Sequence, residues 1–310
     1  MKKHKRPDPT SSADKPRSSR EYQIFRIPKR RGGFRQIEAP KDELKMQQRT
    51  SLQLLERVLP VSPFAHAFRP YRSIASMAAP HVGKPCILSI DIKSFFPSIK
   101  YTTLQEALHR VLPARARVPK ADRVAMTEKV FEQLGMHFIK FKDEEPRLPQ
   151  GGPASPLLSN AYLFEADWIL AWRAYKIGVT YTRYADDLVF SGDDEKKLWQ
   201  MYYITGTLLF RRYGLEIHPR KVKLQPEFRR QMVCGVVVNH ELTLPRRWRR
   251  NLRAANHQEG LYQAGLRDLP PKDHGLVLAG KQSYLKMIQN PPIHRSNVEM
   301  CELHEMMGKL

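Results

Sequence analysis

Cysteine is scarce in this chain. Cys86, Cys234 and Cys301 stand far apart among 310 residues. There is no CxxC pair and the count is odd, which argues against a disulfide framework. Cys301 and His304, with His294 nearby, form a single C-x2-H. A zinc site would need a second close pair. No run approaches the roughly 18–20 apolar residues of a membrane helix. The basic N-terminus has no apolar segment behind it, so it does not read as a secretory signal. Together these absences predict a reducing, cytoplasmic setting and no membrane partner. No internal repeat is apparent.

Acid is the second shortage. Lys and Arg number 53 against 31 Asp and Glu, giving a formal net charge of +22 and a pI near 10.0. Such an excess points to a polyanionic partner, of which nucleic acid is the usual one. Its competitor is a chain that is basic for solubility or for a ribosomal neighbourhood. The hydrophobic share of 41% can bury a core in two or three subdomains.

Residues 1–20 are charged, rich in Pro and Ser, and nearly free of large apolar side chains, so they read as a basic arm without a core. Two β-prone runs, 22–27 and 34–39, flank PKRRGG and predict a hairpin with a basic, glycine-containing loop. Asp42 should cap a helix with Leu44, Leu52, Leu55, Val58 and Leu59 on its apolar side. CILSIDIKSFFPSI, residues 86–99, reads as a strand that breaks into a turn at Pro97. Cys86, Leu88, Ile90 and Ile92 share one face, and Ile87, Ser89 and Asp91 the other. Helices are expected at about 121–134, 156–176 and 195–213, ended by Gly135, Gly178 and Gly214. MVCGVVVN reads as a short strand. It leads to LPRRWRRNLRAA and a helical tail.

The scarce acids are not evenly spread. VTYTRYADDLVFSG, residues 179–192, should be a strand, yet Asp186 and Asp187 sit side by side within it. Two unpaired carboxylates about 4 Å apart repel by roughly 4 kcal/mol at an effective dielectric near 20. Arg183 is close enough in sequence to offset this, and a divalent metal would do so better. A lone DD is most often a turn. Asp91, ending another apolar strand, changes that reading. Three acids on adjacent strand ends suit two magnesium ions, which prefer oxygen ligands and keep room for water and phosphate. Two such ions can activate a hydroxyl and stabilise a leaving oxygen in phosphoryl transfer. The sequence leaves Mg2+ or Mn2+ open.

A set of stretches, in order along the chain, carries a resemblance. YADD (184–187) resembles the Y-x-D-D box of reverse transcriptases, and SIDIKSFFPSI their first acidic motif. LPQGGPASPLLSN (148–160) resembles their glutamine-glycine motif, and IPKRRGGFRQIEAP their fingers hairpin. GLEIHPRKVKLQ and VCGVVVN are similar to the later palm and primer-grip segments. The resemblance implies an α+β right-hand polymerase fold with fingers, an antiparallel-sheet palm and a helical thumb. Its divisions would be a basic arm at 1–20, fingers at 21–85, palm at 86–240 with a finger insertion at about 100–148, and thumb at 241–310.

It also implies roles. Asp91, Asp186 and Asp187 would hold two metals, with the backbone carbonyl of Ile92. Phe96 would be the steric gate against a 2′-hydroxyl, and its alternative is simple core. Lys29 and Arg35 would grip the triphosphate of a deoxynucleotide, or else be solvated hairpin charges. Gln150 and Gly151 would line the nucleotide pocket. Lys221 matches the late-palm lysine that assists pyrophosphate departure, with Lys223 as rival. Arg246, Arg247, Arg249, Arg250 and Arg253, with Trp248 interleaved, would grip a duplex backbone, against the alternative of a solvated helical face.

The length leaves no room for an RNase H, maturase or nuclease module, and the short form resembles bacterial retron reverse transcriptases. MAAPHVG (77–83) is similar to the retron N-A-x-x-H signature, with Met77 in place of Asn. VCG (233–235) is similar to V-T-G, with Cys234 in place of Thr. GKQSYLKMI (280–288) resembles the thumb segment. The retron resemblance implies a structured noncoding RNA as template and primer and priming from a guanosine 2′-hydroxyl. It implies a branched RNA–DNA product, a separate effector protein and a role in defence against phage. His81 as an RNA contact competes with His81 as a structural histidine.

Overall fold

The structure is a computed structural model that describes residues 15–29, 32–266 and 273–291. Most of the basic arm, Arg30 and Arg31 of the hairpin loop, and the Cys301–His304 pair with His294 lie outside the described residues. Among the described residues no helix is long and apolar enough to cross a membrane. The chain forms two compact units, each assembled from three stretches. The first is Met1–Ser62, Ile92–Trp168 and Thr205–Ile217. The second is Pro63–Asp91, Ile169–Ile204 and His218–Leu310.

The first unit opens with an antiparallel hairpin of Tyr22–Pro28 and Phe34–Pro40, in register from Tyr22 opposite Pro40 to Pro28 opposite Phe34. Its base is anchored by Tyr22, which packs with Leu44 and Ile139. Its far half leaves Ile24, Phe25, Ile27 and Phe34 exposed. The next helix is Asp42–Val58. Asp42 does not cap it. Lys41 is the cap residue, without a side-chain bond, and Asp42 is the first helical residue, where its charge complements the helix dipole. The buried face includes Gln48 and Ser51 beside Leu44, Leu55 and Val58. Gln48 is tolerated there because its amide donates to Tyr22 Oη at 3.1 Å and Met136 O at 2.7 Å. Helices Tyr101–Arg115 and Arg123–Leu134 complete this layer, the second ending at Gly135 as its glycine predicted.

The second unit is built on a four-stranded antiparallel sheet. Its order is Thr180–Tyr184, Asp187–Gly192, Cys86–Asp91, Lys223–Pro226. The strand Cys86–Asp91 is buried on both faces. Ile87, on the face expected to be less apolar, joins a core with Met77, Val189, Val233, Val236, Leu244 and Ile288. Each alternation of side chains was legible, but the cover over the second face was not, because it comes from distant segments. Helices Arg246–Gln263 and His274–Gln289 follow, in contact through Trp248 and Tyr284 with ring centroids 5.6 Å apart.

Two helices that the sequence marks behave differently. Glu195–Tyr213 runs over the expected span. The 156–176 helix is in fact two, Ser155–Tyr162 and Phe164–Lys176. At Leu163 the amide is shared between Ala161 O and Ser159 O, and the tightened turn breaks the regular ladder.

Candidate active site

The acids sit where three strands meet. Tyr184 pairs with Asp187 across the hairpin, leaving Ala185 and Asp186 as a two-residue loop. Such loops need a positive φ at the first position, and Ala185 adopts +54°. A Cβ there is strained, which is tolerated where surrounding structure insists on it. Part of that insistence is Arg183, wholly buried, whose Nη1 donates to Ala185 O at 3.1 Å. On the neighbouring strand Asp91 stands directly opposite Asp187. Directly opposed residues bring their Cβ atoms to about 4.5–5.5 Å. Three carboxylates are therefore gathered by one hairpin with its tight turn and one long-range antiparallel register.

The electrostatics follow. Burial, then the charges of Asp186 and Asp91, push the Asp187 carboxyl up to about 6. The Cys234 thiol, 3.7 Å from Asp187 Oδ2, and Lys221 pull it partly back. Lys221 Nζ lies 2.8 Å from both oxygens of Asp91. It comes from the short turn Pro219–Lys221, which is tied down because His218 N donates to Asp91 O at 2.7 Å and Lys221 N to His218 O. Lys223, the rival, is on the edge strand opposite Ser89. Arg183, expected to offset the acids, turns inward, and the cation on Asp91 is Lys221.

Among the described residues no three His, Cys, Asp or Glu side chains are drawn together as a finished metal shell. Their chemistry still fits a hard divalent cation. The donors are all carboxylate oxygens, and the buried Asp187 carboxyl has the like charges of Asp186 and Asp91 beside it.

In the first unit, Lys29 and Arg35 are exposed on the hairpin, Lys29 beside the loop and Arg35 opposite Ile27. Ile92 is buried and bridges to Ile217. Phe96 is half-buried in the short helix Phe95–Ser98, while Phe95 takes the core position. Gln150 and Gly151 form a loop held by Glu38. Glu38 N donates to Gln150 O at 3.0 Å, and Gln150 N donates to Glu38 Oε2 at 3.0 Å. Gly151 has φ +142°, and a Cβ there would lie 2.8 Å from Glu38 O, so only glycine fits. The sequence reading missed Glu38 and its partner Arg147. Their one signal is an acid in an otherwise exposed, basic hairpin.

Two assignments are corrected. His81 is 0% exposed, and its ring nitrogens each lie 2.7 Å from a hydroxyl, Nδ1 from Ser191 and Nε2 from Thr182. Burial lowers its pKa to about 3, so it is a neutral structural histidine and not an RNA contact. Trp248 packs against the core and Tyr284, while Arg246, Arg247, Arg249, Arg250 and Arg253 are exposed. Trp248 anchors the helix that carries the arginines.

VCG proves to be a turn as well as strand ends. Val233 pairs with Val236, and Cys234 and Gly235 fill the loop with φ of 46° and 87°. Two positive φ values mark a mirror-image tight turn, which suits glycine at the second place. Cys234 Sγ also lies 3.4 Å from Met77 Sδ. The two departures from the retron signatures therefore touch each other, and Cys234 also reaches Asp187.

A family model described as "Reverse transcriptase (RNA-dependent DNA polymerase)" matches residues 27–233. The chain belongs to the reverse transcriptase family. Its curated relatives include retron enzymes. It is 41% identical over 277 residues to Retron Mx65 reverse transcriptase of Myxococcus xanthus, covering 88% of this chain and 62% of that protein. It is 34% identical over 261 residues to Retron Mx162 reverse transcriptase of the same organism, covering 76% and 52%. The chain thus spans between about half and two thirds of the length of these relatives. Among solved structures, apo telomerase from Candida tropicalis, truncated from its C-terminal domain, is similar over 72% of this chain and 55% of that one. Its TM-score is 0.48 and its identity 14%.

Proposed function

We propose that this reverse transcriptase is an RNA-directed DNA polymerase of retron type, copying a structured noncoding RNA into single-stranded DNA in the cytoplasm. The observation that carries the reading is the register that sets Asp91 opposite Asp187, one residue from Asp186, with Lys221 on Asp91. In this reading Asp91, Asp186, Asp187 and the Ile92 carbonyl hold two divalent ions, magnesium or manganese. When bound, the ions would acidify the primer hydroxyl and carry charge on the departing pyrophosphate. Lys221 Nζ would donate a hydrogen bond to that leaving group. Lys29 and Arg35 bind the triphosphate, and Gln150 and Gly151 orient the nucleotide. Phe96 excludes a ribose 2′-hydroxyl. The five exposed arginines bind the template–primer backbone, so affinity should fall steeply with salt.

The retron likeness supports the finer reading. The RNA would prime from an internal 2′-hydroxyl, and the branched product would work with a separate effector protein in defence against phage. Two experiments test this. Asp186→Asn should abolish DNA synthesis and leave RNA binding in place; unchanged synthesis would sink the active-site assignment. Nucleic acid extracted from protein purified from its native operon should contain short DNA that shifts on debranching. Unbranched DNA would move the chain to another reverse transcriptase group. RNA alone, even after nucleotides and magnesium are added, would overturn the polymerase reading.

A further inference from the structure

Glu38 is a buried carboxylate with four hydrogen bonds to its two oxygens. It is 1% exposed. Arg147 Nη2 donates to Oε1 at 2.6 Å and Nη1 to Oε2 at 3.1 Å. Gln36 Nε2 adds a bond to Oε1 at 3.0 Å, and the Gln150 amide one to Oε2 at 3.0 Å. Two carboxylate oxygens offer about four lone-pair sites, and all four are used.

Arg147 is equally constrained. Its backbone bonds Ile139 in both directions, N to O and O to N, at 3.0 Å. Its guanidinium lies 4.9 Å from the centroid of the Phe141 ring. The planar fork spans both Glu38 oxygens, a geometry that a lysine cannot reproduce.

A pair this buried is costly to desolvate, and a hydrophobic pair would hold the two segments together as well. What the ion pair adds is direction. One carboxylate oxygen aims at the Gln150 amide while the Glu38 backbone amide aims back at the Gln150 carbonyl. The strand Phe34–Pro40 is thereby tied at Glu38 to the neighbouring loop. Arg35 is three residues from Glu38 on that strand, and Gly151 follows Gln150, pressed against Glu38 O.

We propose that Glu38 and Arg147 are a positioning pair that fixes the Gln150–Gly151 loop in register with the strand bearing Arg35, and so sets affinity for the incoming deoxynucleoside triphosphate. The inference rests on the reading of Gln150 and Gly151 as nucleotide-lining residues. Neither Glu38 nor Arg147 touches the substrate in this scheme. Both act through the loop.

The test is steady-state primer extension with the full chain and varied dNTP. The variants are Glu38→Gln, Arg147→Lys and Gln150→Ala, with hydrogen exchange read at the Gln150 amide. The pair predicts a rise in KM for dNTP of about tenfold in Glu38→Gln, with kcat within about twofold. It predicts a smaller rise in Arg147→Lys, and faster exchange at Gln150 in both. If Glu38→Gln melts below the assay temperature, Arg147→Lys decides, because it keeps the charge and the stem. Unchanged KM in folded Glu38→Gln and Arg147→Lys, alongside a raised KM in Gln150→Ala, would overturn the positioning pair and leave the pocket reading standing. Unchanged KM in all three would remove the pocket reading and the pair with it.

Discussion

Each unit holds one telling carboxylate, and the two are treated in opposite ways. Glu38, in the first unit, has a bidentate arginine, a backbone amide and a side-chain amide around it. Asp187, in the second, is crowded by Asp91 and Asp186. Among the described residues the donor to its carboxylate is the weak Cys234 thiol. A buried carboxylate supplied with every donor it can accept is held in one place. One that is short of donors and surrounded by like charge keeps an unmet demand for a cation. The first arrangement is what a scaffold needs, and the second is what a metal-dependent site needs.

The largest effect that separates them is stability. Glu38→Ala removes the bidentate partner of buried Arg147, leaving it the exposed Glu144 at 4.0 Å, and should cost about 3–5 kcal/mol in chemical denaturation. An unchanged midpoint would break the contrast at its root. His81→Ala strands the Ser191 hydroxyl and leaves that of Thr182 with its 3.3 Å bond to Met77 O, and should cost about 1–3 kcal/mol, with RNA affinity unchanged in the surviving fold. A specific loss of RNA affinity would restore the role that burial argues against.

Asp187→Asn should move the other way. The folded carboxyl titrates at about 6, above its ordinary 3.8, so its ionised form opposes folding at neutral pH. That opposition disappears as pH falls below both values. The variant should be more stable than the parent at pH 7 by about 1–2 kcal/mol, discounted from the full shift because the site is partly open to solvent. The gain should vanish by about pH 4, and DNA synthesis should be lost. Destabilisation at pH 7 would show that Asp187 is structural like Glu38.

The same titration should be visible in metal binding. Protons compete for Asp187, so Mn2+ affinity measured by calorimetry should weaken about tenfold from pH 7 to pH 5. A flat profile would remove Asp187 from the ligands. The smallest effect is expected at the turn between the acids. Ala185→Gly relieves the positive φ and should stabilise by about 0.5–1 kcal/mol.

Legibility in the sequence followed the range of the signal. The helix Glu195–Tyr213 and the end of Arg123–Leu134 were readable because period and terminal glycine are local. The hairpin Tyr22–Pro28 and Phe34–Pro40 was readable from two β-prone runs around glycines. Of the site, the three acids stood out because carboxylates within apolar strands are conspicuous in so basic a chain. The break at Leu163 was not readable, since apolar periodicity continues through it. Cys234 was noticed as a departure in sequence, but its place beside Asp187 was not visible there.

What the sequence determined by itself was the set of local elements, the acids they carry and, through ordered motifs, the family. What only the tertiary structure decided was partnership. It chose Lys221 for Asp91 across 130 residues, passing over Lys223 and Arg183. It joined Arg147 to Glu38 across 109, and turned His81 inward onto Ser191 across 110. Periodicity and turn chemistry act between near neighbours in the chain. Which charge meets which depends on the strands and loops that come to lie side by side, and that is settled only when the core closes.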